Sequence, residues 1–384
     1  MKTALRLLAR LSVCLFLPLP AARASEPVAK QHYLYVGVPG IRDDTRLGGA
    51  GIVVFDIDHG HRFVRRIPTP ASLQPKPENI KGICASAATG RLYFTTLHRL
   101  YCLDLRTDQP LWDTALPGGC DRLSITPDGK VLYVPSLEGP HWNVVDALTG
   151  HLIEKIETKS GAHNTVVSLD GSKVYLAGLR SPLLRVFDRH SNRIIRLVGP
   201  FSGVIRPFTV NGSDTRCYVT VNGLLGFEVG DLQTGKVLAR VAVEGVPHGP
   251  TARHGCPSHG VGLTPDEREV WVCDGHNSMI HAFDITTTPA RKVASIRLRD
   301  QPGWVTFSID GRYAYPSTGE VVDTATKKII AALTDEKGRP VHSEKMVEID
   351  FRKGVPVQVG DQFGVGRKAA THARNAAPAS APSR

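Results

Sequence analysis

The sequence lacks the short motifs that mark several classes of enzyme and redox protein. It contains no C-x-x-C and no C-x-x-C-H, which argues against a thioredoxin-like centre and against covalently attached haem c. It also contains no G-x-S-x-G elbow and no H-E-x-x-H pair. A catalytic site, if there is one, would therefore have to be assembled from distant parts of the chain.

Long apolar runs are missing everywhere except near the N-terminus. There, Lys2 and Arg6 precede an apolar stretch at residues 11–19, and Ala22 and Ala24 supply small residues at the two positions that a signal peptidase recognises. This pattern predicts a signal peptide over residues 1–24, because the apolar stretch is too short to span a bilayer. We expect an exported protein, periplasmic or secreted, with no membrane span.

Acidic residues are missing from the C-terminal segment, residues 366–384, which is rich in Ala, Pro and Ser. This segment and the signal peptide each hold four of the basic residues behind the net charge of +11, so the rest of the chain carries about +3. A nucleic-acid partner would require a basic patch on the folded part, and none is evident. The segment itself is predicted to be a disordered basic tail, since it has too few apolar residues to offset the entropy of ordering.

Cysteine is not abundant enough to define the fold. Six cysteines remain after the signal peptide is removed, and a chain of this length does not need disulfides to fold. We expect most of the six to be buried and unpaired.

What the sequence does have is an internal repeat of about forty residues. One half of each unit is an apolar strand, a tight turn and a second strand rich in Tyr and Val. It is clearest in "RLSITPDGKVLYVPS" (122–136), "NTVVSLDGSKVYLAG" (164–178) and "GVGLTPDEREVWVCD" (260–274). Asp-Gly pairs suit the left-handed positions of hairpin turns, and alternating apolar residues suit the flanking strands.

The other half of each unit is an apolar pair, an aspartate and a turn rich in Thr and Gly. Seven copies occur, at Asp56, Asp104, Asp146, Asp188, Asp231, Asp284 and Asp323. Short polar side chains bond their own backbone in such turns, so we interpret these aspartates as structural. Each unit then supplies four short antiparallel strands, and a period near forty residues indicates the blades of a β-propeller.

The two ends of the array predict how the ring closes. The segment 32–37 matches the second strand of a unit but has no first strand before it, and 345–351 is a strand with no complete unit after it. We therefore predict an all-β fold over residues 31–354. It is a seven-bladed β-propeller of four-stranded blades, closed by the C-terminal strand joining the N-terminal blade. Such closure removes exposed sheet edges.

Units such as "SITPDGKVLYVPS…VVDALTG" resemble the YVTN-repeat, YncE-like family of WD40-like seven-bladed propellers, over about residues 31–351. The resemblance implies a periplasmic propeller. It does not imply one activity, because propellers host enzymes, binders and scaffolds alike. YVTN-type rings also resemble lactonase-type propellers and the haem d1 domain of some nitrite reductases, so those activities enter as alternatives.

Candidate site residues follow from aligning the units on the Asp-Gly turn and counting back seven positions. Equivalent positions in a ring converge on one mouth of the channel, which is the default place for a ligand. The candidate ligand-binding residues at and beside these positions are His163, His259, Arg122, Asp121, Arg206, Trp304 and Glu344. Arg122 and Arg206 suit an anionic group, and Asp121 or Glu344 suits the orientation of a histidine.

A metal site is a narrower hypothesis. His254, Cys256 and His259 lie close together in "RHGCPSHG", and His163 is a partner from another blade. These are ligands for zinc or copper, although zinc spacing normally comes as two pairs. His254 and Cys256 belong to a long loop, residues 244–260, which we expect to cover part of the mouth.

Three functions remain open at this point. The first is a non-catalytic, monomeric exported module that recognises a small molecule or a protein at its mouth. The second is a lactonase-like hydrolase with a divalent cation, which would favour several carboxylates in the channel. The third is a redox protein with copper or a non-covalent haem held by His163 or His259. The sequence does not specify a cofactor.

Overall fold

The structure, a computed structural model, describes residues 29–251 and 253–368. The predicted signal peptide and most of the predicted tail lie outside these residues. The described chain consists of 29 strands joined by turns and loops. Within it, no helix has the length and hydropathy needed to cross a membrane.

The strands form seven antiparallel sheets arranged as blades. Blade 1 combines strands from both ends of the chain: β1 (Gln31–Val38), β2 (Gly51–Asp56), β3 (Arg62–Ile67), β28 (Met346–Arg352) and β29 (Val355–Val359). Blade 2 contains β4 (Gly82–Ser86), β5 (Arg91–Thr95), β6 (Arg99–Asp104) and β7 (Pro110–Ala115). Blade 3 contains β8 (Ser124–Ile125), β9 (Val131–Pro135), β10 (His141–Asp146) and β11 (Leu152–Glu157). Blade 4 contains β12 (Ala162–Val167), β13 (Lys173–Gly178), β14 (Leu184–Asp188) and β15 (Arg193–Val198).

The remaining three blades repeat the same order. Blade 5 contains β16 (Ile205–Val210), β17 (Arg216–Val221), β18 (Gly226–Asp231) and β19 (Val237–Ala242). Blade 6 contains β20 (Val261–Leu263), β21 (Glu269–Asp274), β22 (Met279–Asp284) and β23 (Arg291–Arg297). Blade 7 contains β24 (Val305–Phe307), β25 (Tyr313–Pro316), β26 (Glu320–Asp323) and β27 (Lys328–Ala332). The predicted seven-bladed β-propeller is confirmed.

The repeated turns have the predicted chemistry. Gly171, between β12 and β13, has φ 73°, a left-handed conformation that glycine adopts without strain. The recurring aspartates end the third strand of each blade and accept hydrogen bonds from nearby backbone amides. Asp104 Oδ1, for example, accepts from the N–H of Arg106 at 2.8 Å and of Thr107 at 2.9 Å. These aspartates therefore hold turns, as predicted.

Burial falls from the centre of the ring outwards. Inner strands such as β12 are buried along their whole length, whereas outer strands such as β15 are largely exposed. Apolar clusters fill the spaces between adjacent blades, so each blade depends on its neighbours for a core. The inner strands are consequently held in fixed positions around the channel.

The ring closes through β28. This strand pairs antiparallel with β1, with Tyr33 opposite Ile349 and Tyr35 opposite Val347, as the end-matching argument predicts. Strand β29 then pairs with β28 and gives blade 1 a fifth strand. The chain therefore remains packed beyond residue 354, the predicted end of the propeller.

Beyond β29, residues 360–368 form what we call the C-terminal plug, because they lie among the inner strands of five blades. Gln362 accepts a hydrogen bond from the Ile83 N–H and donates to the Leu123 carbonyl at 3.1 Å. The Gly364 carbonyl accepts from the Thr209 hydroxyl at 2.6 Å, and Gly366 donates to the Val210 carbonyl at 2.9 Å. The first residues of the predicted tail, 366–368, thus belong to the plug.

A truncation series tests how much ring closure and the C-terminal plug each contribute to the stability of the fold. Ending the chain after Glu344 removes β28, and we expect no cooperatively folded ring because β1 then exposes an unpaired edge. Ending it after Val359 removes the plug. The free energy of unfolding should then fall by several kcal/mol, at roughly 1 kcal/mol per hydrogen bond. Urea unfolding measures both, with a chain ending after Lys368 as the reference. A fully stable ring without β28 would contradict this account of closure.

Candidate functional site

All seven blades contribute side chains to one mouth of the channel, from positions at or just before their inner strands. In blade order these are Glu344 with Lys345, Lys81, Asp121 with Arg122, His163, Arg206, His259 and Trp304. The structure therefore brings together the seven ligand-binding candidates from the sequence. They converge because they occupy equivalent positions in successive blades, and equivalent positions in a ring face the same central axis.

A cavity of about 270 Å³ lies in this region. Of the seven candidates, His163, Arg206, His259 and Glu344 line it, whereas Asp121, Arg122 and Trp304 do not. A second cavity of about 340 Å³ lies at the other end, between the plug and the inner strands of blades 2 to 4. The second is larger, but its lining is mainly small and apolar, and its charged residues Asp361 and Arg367 pair with each other at 3.2 Å. We take the mouth as the candidate site because its charged and imidazole groups converge.

His163 and Asp121 form a buried pair. His163 Nδ1–H donates to Asp121 Oδ2 at 2.5 Å, and Lys81 Nζ lies 3.7 Å from Oδ1. Burial alone would raise the pKa of Asp121, but the contact with His163 and the charge of Lys81 outweigh burial and hold that pKa well below its usual range. Burial lowers the pKa of His163. Its Nε2 is buried with no partner among the described residues, so a lone pair is available at the cavity.

Glu344 is the centre of a second buried cluster. Its Oε2 contacts the Arg122 guanidinium and lies 3.2 Å from Lys345 Nζ, while its Oε1 lies 2.9 Å from His254 Nε2. Burial favours the neutral acid, but Lys345, His254 and Arg122 together hold the pKa of Glu344 well below its usual range. Burial lowers the pKa of Lys345 to about 7, against the pull of Glu344. Glu344 is therefore ionised and largely compensated.

Trp304 lies next to the site but does not line the cavity. The Arg122 guanidinium lies over its ring, 4.0 Å from the ring centroid, and its indole N–H donates to the Gln362 carbonyl. Trp304 thus connects the mouth to the C-terminal plug.

His259 is held in one orientation. Its Nδ1–H donates to the Gly303 carbonyl at 2.8 Å, which leaves Nε2 as the free nitrogen. Its ring stacks on that of His254, with centroids 4.0 Å apart, and lies 6.3 Å from that of His163. Burial, with His254 as the next cause, lowers the pKa of His259 well below its usual range. His259 is therefore a neutral imidazole.

The loop 244–260 reaches the mouth through Arg253, His254 and His259, in line with the expectation that it covers part of the mouth. Arg253 Nη2 pairs with Asp300 at 2.5 Å, and the Arg253 carbonyl accepts a hydrogen bond from Arg42 at 3.0 Å. Ser258 accepts from the Gly226 N–H at 3.0 Å, which fixes the end of the loop. The loop therefore carries Arg253 and His254 to the rim of the cavity.

The four metal-ligand candidates separate in the structure. His254, His259 and Glu344 bring one ligand atom each within 4.8 Å of one another. Cys256 is not part of this group and does not line the cavity; it is buried, and burial raises the pKa of its thiol to about 11. His163 lines the cavity beside the group. Like Cys256, the other five cysteines of the described chain are buried and free of disulfides.

Several cations of the site are not among the ligand-binding candidates drawn from the sequence. Lys81 directly precedes Gly82, one of the positions obtained by counting back from the turns, so a wider window on each blade would have included it. Lys345 directly follows the candidate Glu344, so a wider window would have included it as well. Arg42 and Arg253 come from loops without a counterpart in the repeat, so no sequence signal locates them at the mouth.

Comparisons with known proteins support the fold alone. No protein-family profile matches the chain, and no curated protein matches it. A chain from a crystal structure of a mitotic checkpoint complex is similar over 86% of this chain and 99% of its own length, with 13% identity and a TM-score of 0.59. Hydrazine synthase of Kuenenia stuttgartiensis matches 65% of this chain and 94% of its own, with 14% identity and a TM-score of 0.44. At such identity the first likeness supports a propeller and no activity.

The buried Arg122–Glu344 pair can be tested with a double-mutant cycle. Glu344→Gln leaves Arg122 and Lys345 without their carboxylate and should cost about 3–5 kcal/mol of unfolding free energy. Arg122→Met should cost about 3 kcal/mol, because Lys345 still pairs with Glu344. The double variant should lose less than the sum, with a coupling of about 0.5–3 kcal/mol in urea unfolding.

The exposed pair Arg99–Asp113 on the outer strands of blade 2 is the control for this cycle. Its coupling should stay below about 1 kcal/mol, because solvent screens exposed charges. Equal coupling at the two pairs would show that the Arg122–Glu344 contact does not hold the mouth together.

Proposed function

We propose that this protein is an exported propeller of the YVTN-repeat type that binds a small anion in the cavity at its mouth. The observation that carries the proposal is the charge of the lining. Four cationic side chains, Arg42, Lys81, Arg206 and Arg253, line the cavity together with Lys345, which is paired with Glu344, and two carboxylates, Glu138 and Glu344. An excess of positive charge in a recessed, low-dielectric pocket attracts an anion strongly.

Two of these cations have no carboxylate partner in the described part of the chain. Arg42 and Arg206 make no ion pair there, and the Arg206 Nε–H donates instead to the Asn222 side-chain oxygen at 2.6 Å. Lys81 Nζ lies 3.7 Å from an Asp121 oxygen, a longer contact than a direct hydrogen bond. By contrast, Glu344 is already compensated by Arg122 and Lys345. The spare charge at the mouth is therefore positive, and Arg206 presents a guanidinium fork suited to carboxylate or phosphate.

The neutral groups of the cavity narrow the ligand class. His163 Nε2 and His259 Nε2 offer lone pairs, and Asn79 adds an amide to the lining. A small carboxylate or phosphate that also carries a hydroxyl would use both the cations and the acceptors. Because the cavity is slightly smaller than sites for drug-sized ligands, about 300–1,000 Å³, we favour a small metabolite over a protein segment or a haem.

The hydrolase alternative has less support from the same lining. A lactonase-like site that holds its cation with carboxylates would favour several of them in the channel. Glu138 and Glu344 are the two carboxylates lining the cavity in the described chain, and Asp121 is bonded to His163 behind them. This lining fits the binding of an anion without catalysis better than it fits a cation-dependent hydrolase.

Export to the periplasm or medium is part of the proposal. Its support is the pattern of residues 1–24, a basic start, an apolar stretch and small residues before Ser25. Mass spectrometry of the protein from the periplasmic or secreted fraction should give a chain that begins at Ser25. Recovery only from the cytoplasm, with residues 1–24 retained, would contradict export.

Arg206→Gln tests the anion site. We expect phosphate, succinate and citrate, titrated calorimetrically at low ionic strength, to identify at least one binding anion. Its affinity should fall about tenfold to a hundredfold in the variant, because a charged hydrogen bond contributes about 1.5–3 kcal/mol and each 1.4 kcal/mol is a factor of ten. Added salt should weaken binding to the wild type.

Arg196→Gln is the matched control, because it removes the same charge from the exposed outer strand β15 and should leave the affinity unchanged. Equal loss in both variants would mean that net charge, not the mouth, governs binding. Absence of binding by all three anions would count against this ligand class.

A further inference from the structure

The cavity contains buried polar atoms that the described chain leaves unsatisfied. Glu344 Oε1 and His254 Nε2 are buried 2.9 Å apart and have no further partner, and His163 Nε2 is buried with no hydrogen-bond partner among the described residues. Buried polar atoms are nearly always paired, and leaving one unpaired costs about 1–3 kcal/mol. The unpaired His163 Nε2 beside the Glu344–His254 contact indicates that a further group can interact with these atoms.

Their chemistry points to a cation that accepts lone pairs. His254, His259 and Glu344 place two imidazole nitrogens and one carboxylate oxygen within 4.8 Å of one another. The Arg122 and Lys345 contacts involve Glu344 Oε2, so Oε1, which lies 2.9 Å from His254 Nε2, is the oxygen that faces the imidazoles. Two imidazoles and a carboxylate form a donor set typical of zinc and other divalent transition metals, rather than of magnesium or calcium.

The histidines also have the outer contacts that metal ligands have. A metal-bound imidazole usually donates its other N–H to a carboxylate or a backbone carbonyl, which fixes the ring and its tautomer. His259 donates to the Gly303 carbonyl, and His163 donates to Asp121. Both rings therefore present Nε2 as the free atom.

Gly303 makes room for this arrangement. A Cβ at this position would overlap both His254 Nε2 and Glu344 Oε1, so any side chain would fill the space between the ligand atoms. The backbone of blade 7 thus allows the loop, blade 6 and the closing segment before β28 to meet at one point.

We propose that His254, His259 and Glu344 bind one divalent transition metal of the zinc type, with His163 beside it and a coordination position open to the cavity. Three protein ligands and an open position are the arrangement of zinc sites that exchange a ligand. The nearby cations oppose a metal ion, and an anion in the open position would offset them. Metal and anion should therefore bind with positive coupling, each strengthening the other.

This inference does not rest on the proposed anion binding, and the two can fail separately. The metal ligands come from the mouth loop, blade 6 and the segment that leads into β28. A bound metal therefore links these segments and stabilises the closed ring. It should therefore raise the thermal stability whether or not an anion is present. Anion binding that persists in metal-free protein would leave the proposed function intact even if the metal site were absent.

The test uses the full mature chain without a histidine tag, first freed of metal with a chelator. We expect calorimetric titration with Zn²⁺ to give one site per chain, Co²⁺ to give a visible absorption band of a nitrogen-ligated ion, and Mg²⁺ to give no binding. His254→Ala should weaken Zn²⁺ by more than the tenfold to hundredfold that loss of an outer-contact residue costs. His248→Ala, an exposed histidine of the same loop, is the control and should bind as the wild type does.

Two results would overturn the inference. One is the absence of a saturable one-to-one Zn²⁺ site, and the other is equal affinity in His254→Ala and His248→Ala, which would place the metal elsewhere. Should His254→Ala fail to fold, X-ray absorption of the zinc-loaded wild type decides the matter. Two imidazole nitrogens and at least one oxygen around zinc support the site, and fewer than two imidazoles overturn it.

Discussion

The pairing of β28 with β1 is the contact on which the rest of the structure depends. It joins segments more than 300 residues apart in sequence and leaves the ring without an open edge. Glu344 and Lys345, in the segment that leads into β28, lie at the mouth, where Glu344 meets Arg122, 222 residues away along the chain. Closure of the fold and assembly of the site are therefore one event, and a defect in β28 affects both.

The buried carboxylates of the mouth explain why its side chains are held in place and why the net charge of its lining is positive. Asp121 and Glu344 are taken out of water, which is favourable only because each is surrounded by cations and imidazoles. After that compensation the lining still holds unpaired positive charge from Arg206 and Arg42. Trp304 lies under the Arg122 guanidinium and donates a hydrogen bond to the plug, so it connects the Arg122–Glu344 pair to the inner strands. Side chains held by such contacts need little rearrangement when a ligand binds.

The sequence predicts the parts of this molecule that repeat, and it predicts poorly the parts that do not. The Asp-Gly turns and the seven recurring aspartates specify the blades because local turn chemistry and strand alternation are the same in each unit. Positions such as His163 and His259 follow from the same register. Residues 360–368 have no repeat to compare with, so their role as a plug inside the channel depends on tertiary packing alone. Cys256 shows the opposite error: closeness in sequence to His254 and His259 does not place it in the cavity, because the loop buries its thiol elsewhere.

The central claim is that the mouth of this propeller is an anion site built by convergence of the blades. A crystal structure of the mature protein soaked with phosphate tests it most directly. The account predicts an anion within hydrogen-bond distance of Arg206 and Lys81, inside the cavity bounded by His163 and Glu344. Phosphate bound only at the outer surface, with the mouth holding water alone, would contradict it.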